Sequence, residues 1–166
     1  PAEVLLVAVC SVTGVPEVYE IAKDYTIGLP PGTIKLPVGT RAVQLPDSGF
    51  TDYFLMVFGK PQAASACECE RSDDANLAQS LHLLNSTDIQ GKLAAGSGRP
   101  ALLAADEEKS EEERVDELYY WAFSRPAKES EKKLIFEFIE RQPNKKQAYE
   151  DVLWALFNTK EFLFIR

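Results

Sequence analysis

Cys67 and Cys69 stand one residue apart inside the string Cys67-Glu68-Cys69-Glu70-Arg71. Two thiolates at that spacing can chelate a soft metal, with Cys10 or the single histidine, His82, completing the ligand set. They can equally close a small, strained disulfide of the kind that is readily reduced. One of them can instead pair with Cys10, or both can be small buried fillers. Three cysteines cannot all pair with one another, and the count alone leaves the redox compartment open. No metal and no cofactor is assigned on this basis.

His82 can serve as a general base or a metal ligand. A lone histidine on a helix is more often a hydrogen-bonded structural group. Its neighbours Asn76, Gln79 and Asn85 would then form a polar network that ties down the Cys67–Arg71 string. Glu70, Arg71 and His82 are the candidate catalytic residues, without an assigned reaction. Asp73-Asp74 can divide acid and base duties, but adjacent acids at a helix start are usually caps. The acidic run Asp106 to Glu117 lacks the loop spacing of a calcium site, so it reads as a solvated helix face. Tyr119, Tyr120, Trp121 and Trp154 can stack on sugar rings where exposed, although aromatics at helical spacing are usually core. No G-x-S-x-G, H-E-x-x-H, phosphate-loop or dinucleotide fingerprint is present.

These residues need elements to hold them. The chain has 166 residues, the length of one domain, and such a chain buries roughly 70% of its unfolded surface without needing a staple. The formal net charge of -8 argues against nucleic acid, which demands a basic stripe, and against an anionic lipid surface. It leaves room for a basic partner. No apolar run approaches the ~20 residues that span a bilayer, so no membrane insertion is expected of this segment.

Hydrophobic periodicity predicts mostly helix. Ala2 to Val12, with Val4, Leu5, Ala8, Val9 and Val12, reads as a buried helix of about three turns, stopped by Gly14 and Pro16. Residues 17–47 are rich in Pro and Gly and read as a long ordered loop, with room for one short β-hairpin. Within it, Thr33 to Leu36 and Arg41 to Leu45 are candidate short strands. Tyr53 to Phe58 reads as a short apolar helix ended by Gly59.

Asn76 to Asn85 places Leu77, Leu81 and Leu84 on one helical face. Ser86-Thr87-Asp88 caps a helix running to Leu93, and Pro100 to Ala105 is a short apolar segment. Ser110-Glu111-Glu112-Glu113 is a capping box, followed by the stripe Val115, Leu118, Tyr119 and Ala122 up to Ser124-Arg125-Pro126. Lys128 to Arg141 presents Leu134, Ile135, Phe138 and Ile139 to the core. Gln147 to Asn158 presents Val152, Leu153, Leu156 and Phe157, and the tail Thr159 to Arg166 is apolar enough to pack back. The expected fold class is mainly α: an irregular multi-helix bundle, a single helical domain over residues 1–166, with residues 17–47 as an extended loop region.

Several strings then point to one family. They are Ala42-Val43-Gln44-Leu45-Pro46-Asp47, Phe58-Gly59-Lys60-Pro61, Cys67-Glu68-Cys69-Glu70-Arg71-Ser72 and Asn76-Leu77-Ala78-Gln79-Ser80-Leu81-His82-Leu83-Leu84-Asn85. Glu117-Leu118-Tyr119 with Ser124-Arg125-Pro126, and Leu153-Trp154-Ala155-Leu156-Phe157-Asn158 with Glu161-Phe162-Leu163-Phe164, complete the set. Together they resemble the C-terminal half of the planctomycete-type domain of unknown function number 1553, which accompanies planctomycete cytochrome c modules. The resemblance covers nearly the whole chain and is weakest between Val18 and Arg41.

The resemblance implies large, exported, envelope-associated parents that often carry a c-type haem module and sometimes carbohydrate-binding modules. This chain has no C-x-x-C-H and attaches no c-type haem itself. A start at Pro1 rather than methionine fits a C-terminal piece of something longer. The expected role is a non-catalytic assembly or interaction module. Its partner would be the remainder of its own parent chain or a cytochrome c module, in the periplasm or cell envelope. The alternative is part of an enzyme acting on polysaccharide, or in redox chemistry beside a c-type cytochrome module.

Overall fold

The computed structural model describes residues 2–22, 33–45, 54–55 and 86–163. The chain is mainly helical, an irregular multi-helix arrangement. Its contacts group it into two compact units, one of Pro1–Val7 with Pro16–His82 and one of Ala8–Val15 with Leu83–Arg166. No helix among the described residues is long and apolar enough to cross a membrane.

Helix α1 spans Ala2–Thr13. Its buried line is Ala2, Leu6, Val9, Val12 and Thr13, while Val4 is 49% exposed. The expected face was therefore misplaced at its N-terminal end. The helix is apolar almost all round, so periodicity cannot say which side turns inward. Thr13 tolerates burial because its hydroxyl donates to the Val9 carbonyl at 2.8 Å. Gly14 follows at φ 73°, where an L side chain would be strained, and donates its N–H to the Cys10 carbonyl at 3.0 Å.

Within the first unit, strands β1 (Glu20–Ala22) and β2 (Thr33–Lys35) pair antiparallel, with Ile21 opposite Ile34. The Leu36 N–H extends the ladder to the Tyr19 carbonyl at 3.0 Å. Arg41 to Leu45 does not form a strand. Ala42–Gln44 is a turn of 3₁₀ helix. Gln44 closes it twice, its N–H donating to the Arg41 carbonyl at 2.8 Å and its side-chain oxygen accepting from the Arg41 N–H at 2.9 Å. Of the short helix expected over Tyr53 to Phe58, Phe54 and Leu55 are described, helical and buried. The helix expected over Asn76 to Asn85 lies outside the described residues.

Among the described residues, the second unit holds helices α2 (Thr87–Ala94), α3 (Arg99–Ala105), α4 (Glu111–Phe123), α5 (Glu129–Arg141), α6 (Lys145–Phe157) and α7 (Lys160–Leu163). Four of them open on recognisable local chemistry. The Ser86 hydroxyl accepts from the Ile89 N–H at 3.4 Å to open α2. Pro100 sits in the first turn of α3, where its missing N–H costs nothing. Ser110 and Glu113 form the reciprocal capping box of α4, at 3.2 Å and 2.8 Å. The Asn144 side chain accepts from the Gln147 N–H at 3.2 Å to open α6.

Helix α6 is the central element, packing against α2, α3, α4, α5 and α7. It buries Ala148, Tyr149, Val152, Leu153, Leu156 and Phe157, a broad apolar arc with spacing i, i+1, i+4, i+5. Phe162 of α7 is fully buried and its ring centroid lies 4.7 Å from that of Phe157, which packs α7 against α6; Phe164, Ile165 and Arg166 of the expected tail lie outside the described residues. Helix α4 buries Val115, Leu118, Tyr119 and Ala122, as the periodicity predicts. Helix α5 keeps its predicted face except at Leu134, with Phe138 half-buried. Ile139 and Lys132 are buried, a pair seven residues apart, and Ile135 is half-buried. Leu134 is 68% exposed because it lies two residues from Lys132, on the opposite side of the helix.

Candidate functional site

The sequence points to Cys67 through Asn85. Cys67, Cys69, Glu70, Arg71, Asn76, Gln79, His82 and Asn85 all lie outside the described residues, as do Asp73 and Asp74. Cys10 is described. It is half-buried near the end of α1, and its carbonyl accepts from the Gly14 N–H and the Thr13 hydroxyl. Among the described residues, no three His, Cys, Asp or Glu side chains converge as metal ligands. What the structure does bring together is a set of charged clusters in the second unit.

The first centres on Arg99, at the start of α3. Its Nε donates to the Val12 carbonyl at 2.8 Å and its Nη2 to the Ser11 carbonyl at 3.4 Å. A cation thus meets carbonyls of the last turn of α1, the negative end of that helix. Arg99 Nη1 reaches Glu117 at 3.1 Å, and the guanidinium lies 3.8 Å over the Trp121 ring. Burial lowers the Arg99 pKa, opposed by the Glu117 carboxylate. Glu117 also takes Lys109 at 2.7 Å, which raises the lysine. Beside this cluster, Gly98 permits a close approach: a Cβ there would lie 3.1 Å from the Ala95 carbonyl oxygen and 3.2 Å from that of Lys92.

The second centres on Arg125, just after Ser124, which caps α4 in the left-handed region at φ 56°. One fork of Arg125 meets Glu131 at 2.9 and 3.0 Å, and the other meets Glu161 at 2.8 Å through both oxygens. One guanidinium thereby joins the start of α5 to α7. Hydrogen bonds to Glu161 and Glu131 raise the Arg125 pKa, and the same bonds hold both carboxylates below their usual range. Tyr119 sits beneath, with its phenol pushed up to about 12, chiefly by burial.

Two further clusters tie α4 to its neighbours. Lys132 of α5, with its side chain 9% exposed, meets Glu112 at 2.5 Å and Asp116 at 3.1 Å, and these bonds raise its pKa. Fully buried Tyr149 of α6 donates to Glu111, while Arg114 donates to the Asp106 carbonyl and lies 3.8 Å from Glu111. Burial, then the bond to Glu111, pushes the Tyr149 phenol up to about 12, so it stays a donor and not a base. The Lys146 ammonium adds a cap to α2, donating to the Ala94 carbonyl at 2.8 Å.

The chemistry available to these clusters is holding rather than reacting. Catalytic pairs need one group pushed toward protonation and another toward ionisation within reach of one reacting atom. Here Arg99, Lys109, Arg125 and Lys132 face carboxylates from other helices or turns, while Arg114 meets the Asp106 carbonyl and Glu111 of its own helix. The acidic run is correspondingly more than a solvated face: Glu111, Glu112, Asp116 and Glu117 each take a cation or a phenol from elsewhere. Of the aromatics, Tyr119 is buried with its edge toward Phe123 at 5.5 Å, and Trp154 is half-buried. Tyr120 and Trp121 are 53% and 48% exposed.

Sequence reasoning did not single out Arg99, Arg114 or Lys132, since each finds its partner across a turn or on another helix. Arg125 stood inside the Ser124-Arg125-Pro126 string, but its partner Glu161 is 36 residues away. No family model matches this chain, and neither a curated protein nor a solved structure matches it.

Proposed function

We propose that this chain is a non-catalytic assembly or interaction module, the C-terminal part of a larger exported envelope protein. The reading places it in the planctomycete-type domain of unknown function number 1553, on the strings from Ala42 to Phe164 that resemble that family. The observation that carries it is the use of Arg99, Arg125 and Lys132 as ties between helices, each meeting carboxylates or carbonyls. A fold that spends its best polar groups on holding helices together is suited to presenting a fixed surface. Its partner is the remainder of its own parent chain or a cytochrome c module, in the periplasm or cell envelope.

The test mixes the purified chain with the rest of the parent chain, and separately with its c-type cytochrome module, and follows complex formation by size-exclusion chromatography and calorimetry. A stoichiometric complex with one of them, and no turnover of polysaccharide or redox dyes by the chain alone, is the expected result. Turnover by the isolated chain overturns the reading. In the full parent, Glu70→Gln, Arg71→Lys and His82→Asn are expected to leave any activity unchanged. Its loss would instead support the enzyme reading.

A further inference from the structure

We draw no further inference here: the strongest candidate, the exposed Tyr120–Trp121 pair on α4 beside Arg99, carries nothing because nothing in the structure shows what covers it.

Discussion

Replacing Arg125 by glutamine removes both forks at once and tests whether the second unit is held by charge as well as by burial. The pair with Glu131 is the stronger half. Both side chains are about three-quarters buried, at 24% and 28% exposure, and the geometry is bidentate. Charge-assisted hydrogen bonds in such settings contribute about 1.5–3 kcal/mol. Glu161 is 49% exposed, so solvent screens its pair down to roughly 0.2–1 kcal/mol. Arg125→Gln is therefore expected to cost about 2–3 kcal/mol in urea unfolding followed by circular dichroism. Glu131→Gln should cost more than Glu161→Gln, and each glutamate change should lose most of its effect in the Arg125→Gln background.

The pH dependence has a definite sign. Glu131 and Glu161 are both held below the usual carboxylate range in the folded chain, chiefly by their bonds to Arg125. Their contribution is present above the unfolded carboxylate value of about 4.3 and is lost as pH falls through the lowered folded values. The Arg125→Gln chain should thus lose less stability than the parent between neutral pH and acid. A cost under about 0.5 kcal/mol, or an unchanged acid profile, refutes the reasoning, since that is the range of ordinary surface changes.

Three further changes probe other parts of the same argument. Phe162→Ala empties a fully buried position against Phe157 and should cost about 3–5 kcal/mol, read from the urea midpoint; a cost below ~1 kcal/mol would mean the tail is not anchored there. Ser110→Ala removes the hydroxyl that accepts from the Glu113 N–H at 3.2 Å and should cost about 1 kcal/mol by the same measurement. Ser124→Gly relieves the left-handed strain at φ 56° and should raise the melting temperature by a few degrees, corresponding to roughly 1 kcal/mol; a fall would mean the serine is favoured there for another reason.

Local signals in the sequence were reliable where one residue's chemistry decides an element. Ser86, Ser110 and Gly14 each end or begin a helix because a hydroxyl or a missing Cβ meets the local backbone need; Asn144, which opens α6 two residues before the expected start at Gln147, was not singled out. The α4 stripe was legible because polar residues on its other side leave only one way to turn it. Val4 and Leu134 were misplaced for the opposite reason: α1 and α5 carry apolar residues round so wide an arc that several faces fit the pattern. On α5 the seam is decided by Lys132, whose aliphatic stem buries while its ammonium reaches Glu112 and Asp116. Arg41 to Leu45 was read as a short strand, but Gln44 bonds back to Arg41 and curls it. The charged clusters were not legible, since a bond such as Arg99 to Val12 joins residues 87 apart with no periodicity to announce it. The candidate site from Cys67 to Asn85 was drawn from residue types and spacing, and it lies outside the described residues.

The grip of Arg99 on Ser11 and Val12, and of Lys92 on the Val15 carbonyl at 3.4 Å, makes one unit out of two separate pieces of chain. The second unit takes Ala8–Val15 from near the start of the sequence and everything else from Leu83 onward. A fragment begun at Leu83 would leave the Arg99 guanidinium without the two backbone carbonyls that accept from it. The edge of this unit is therefore not a point in the sequence at which the chain can be cut.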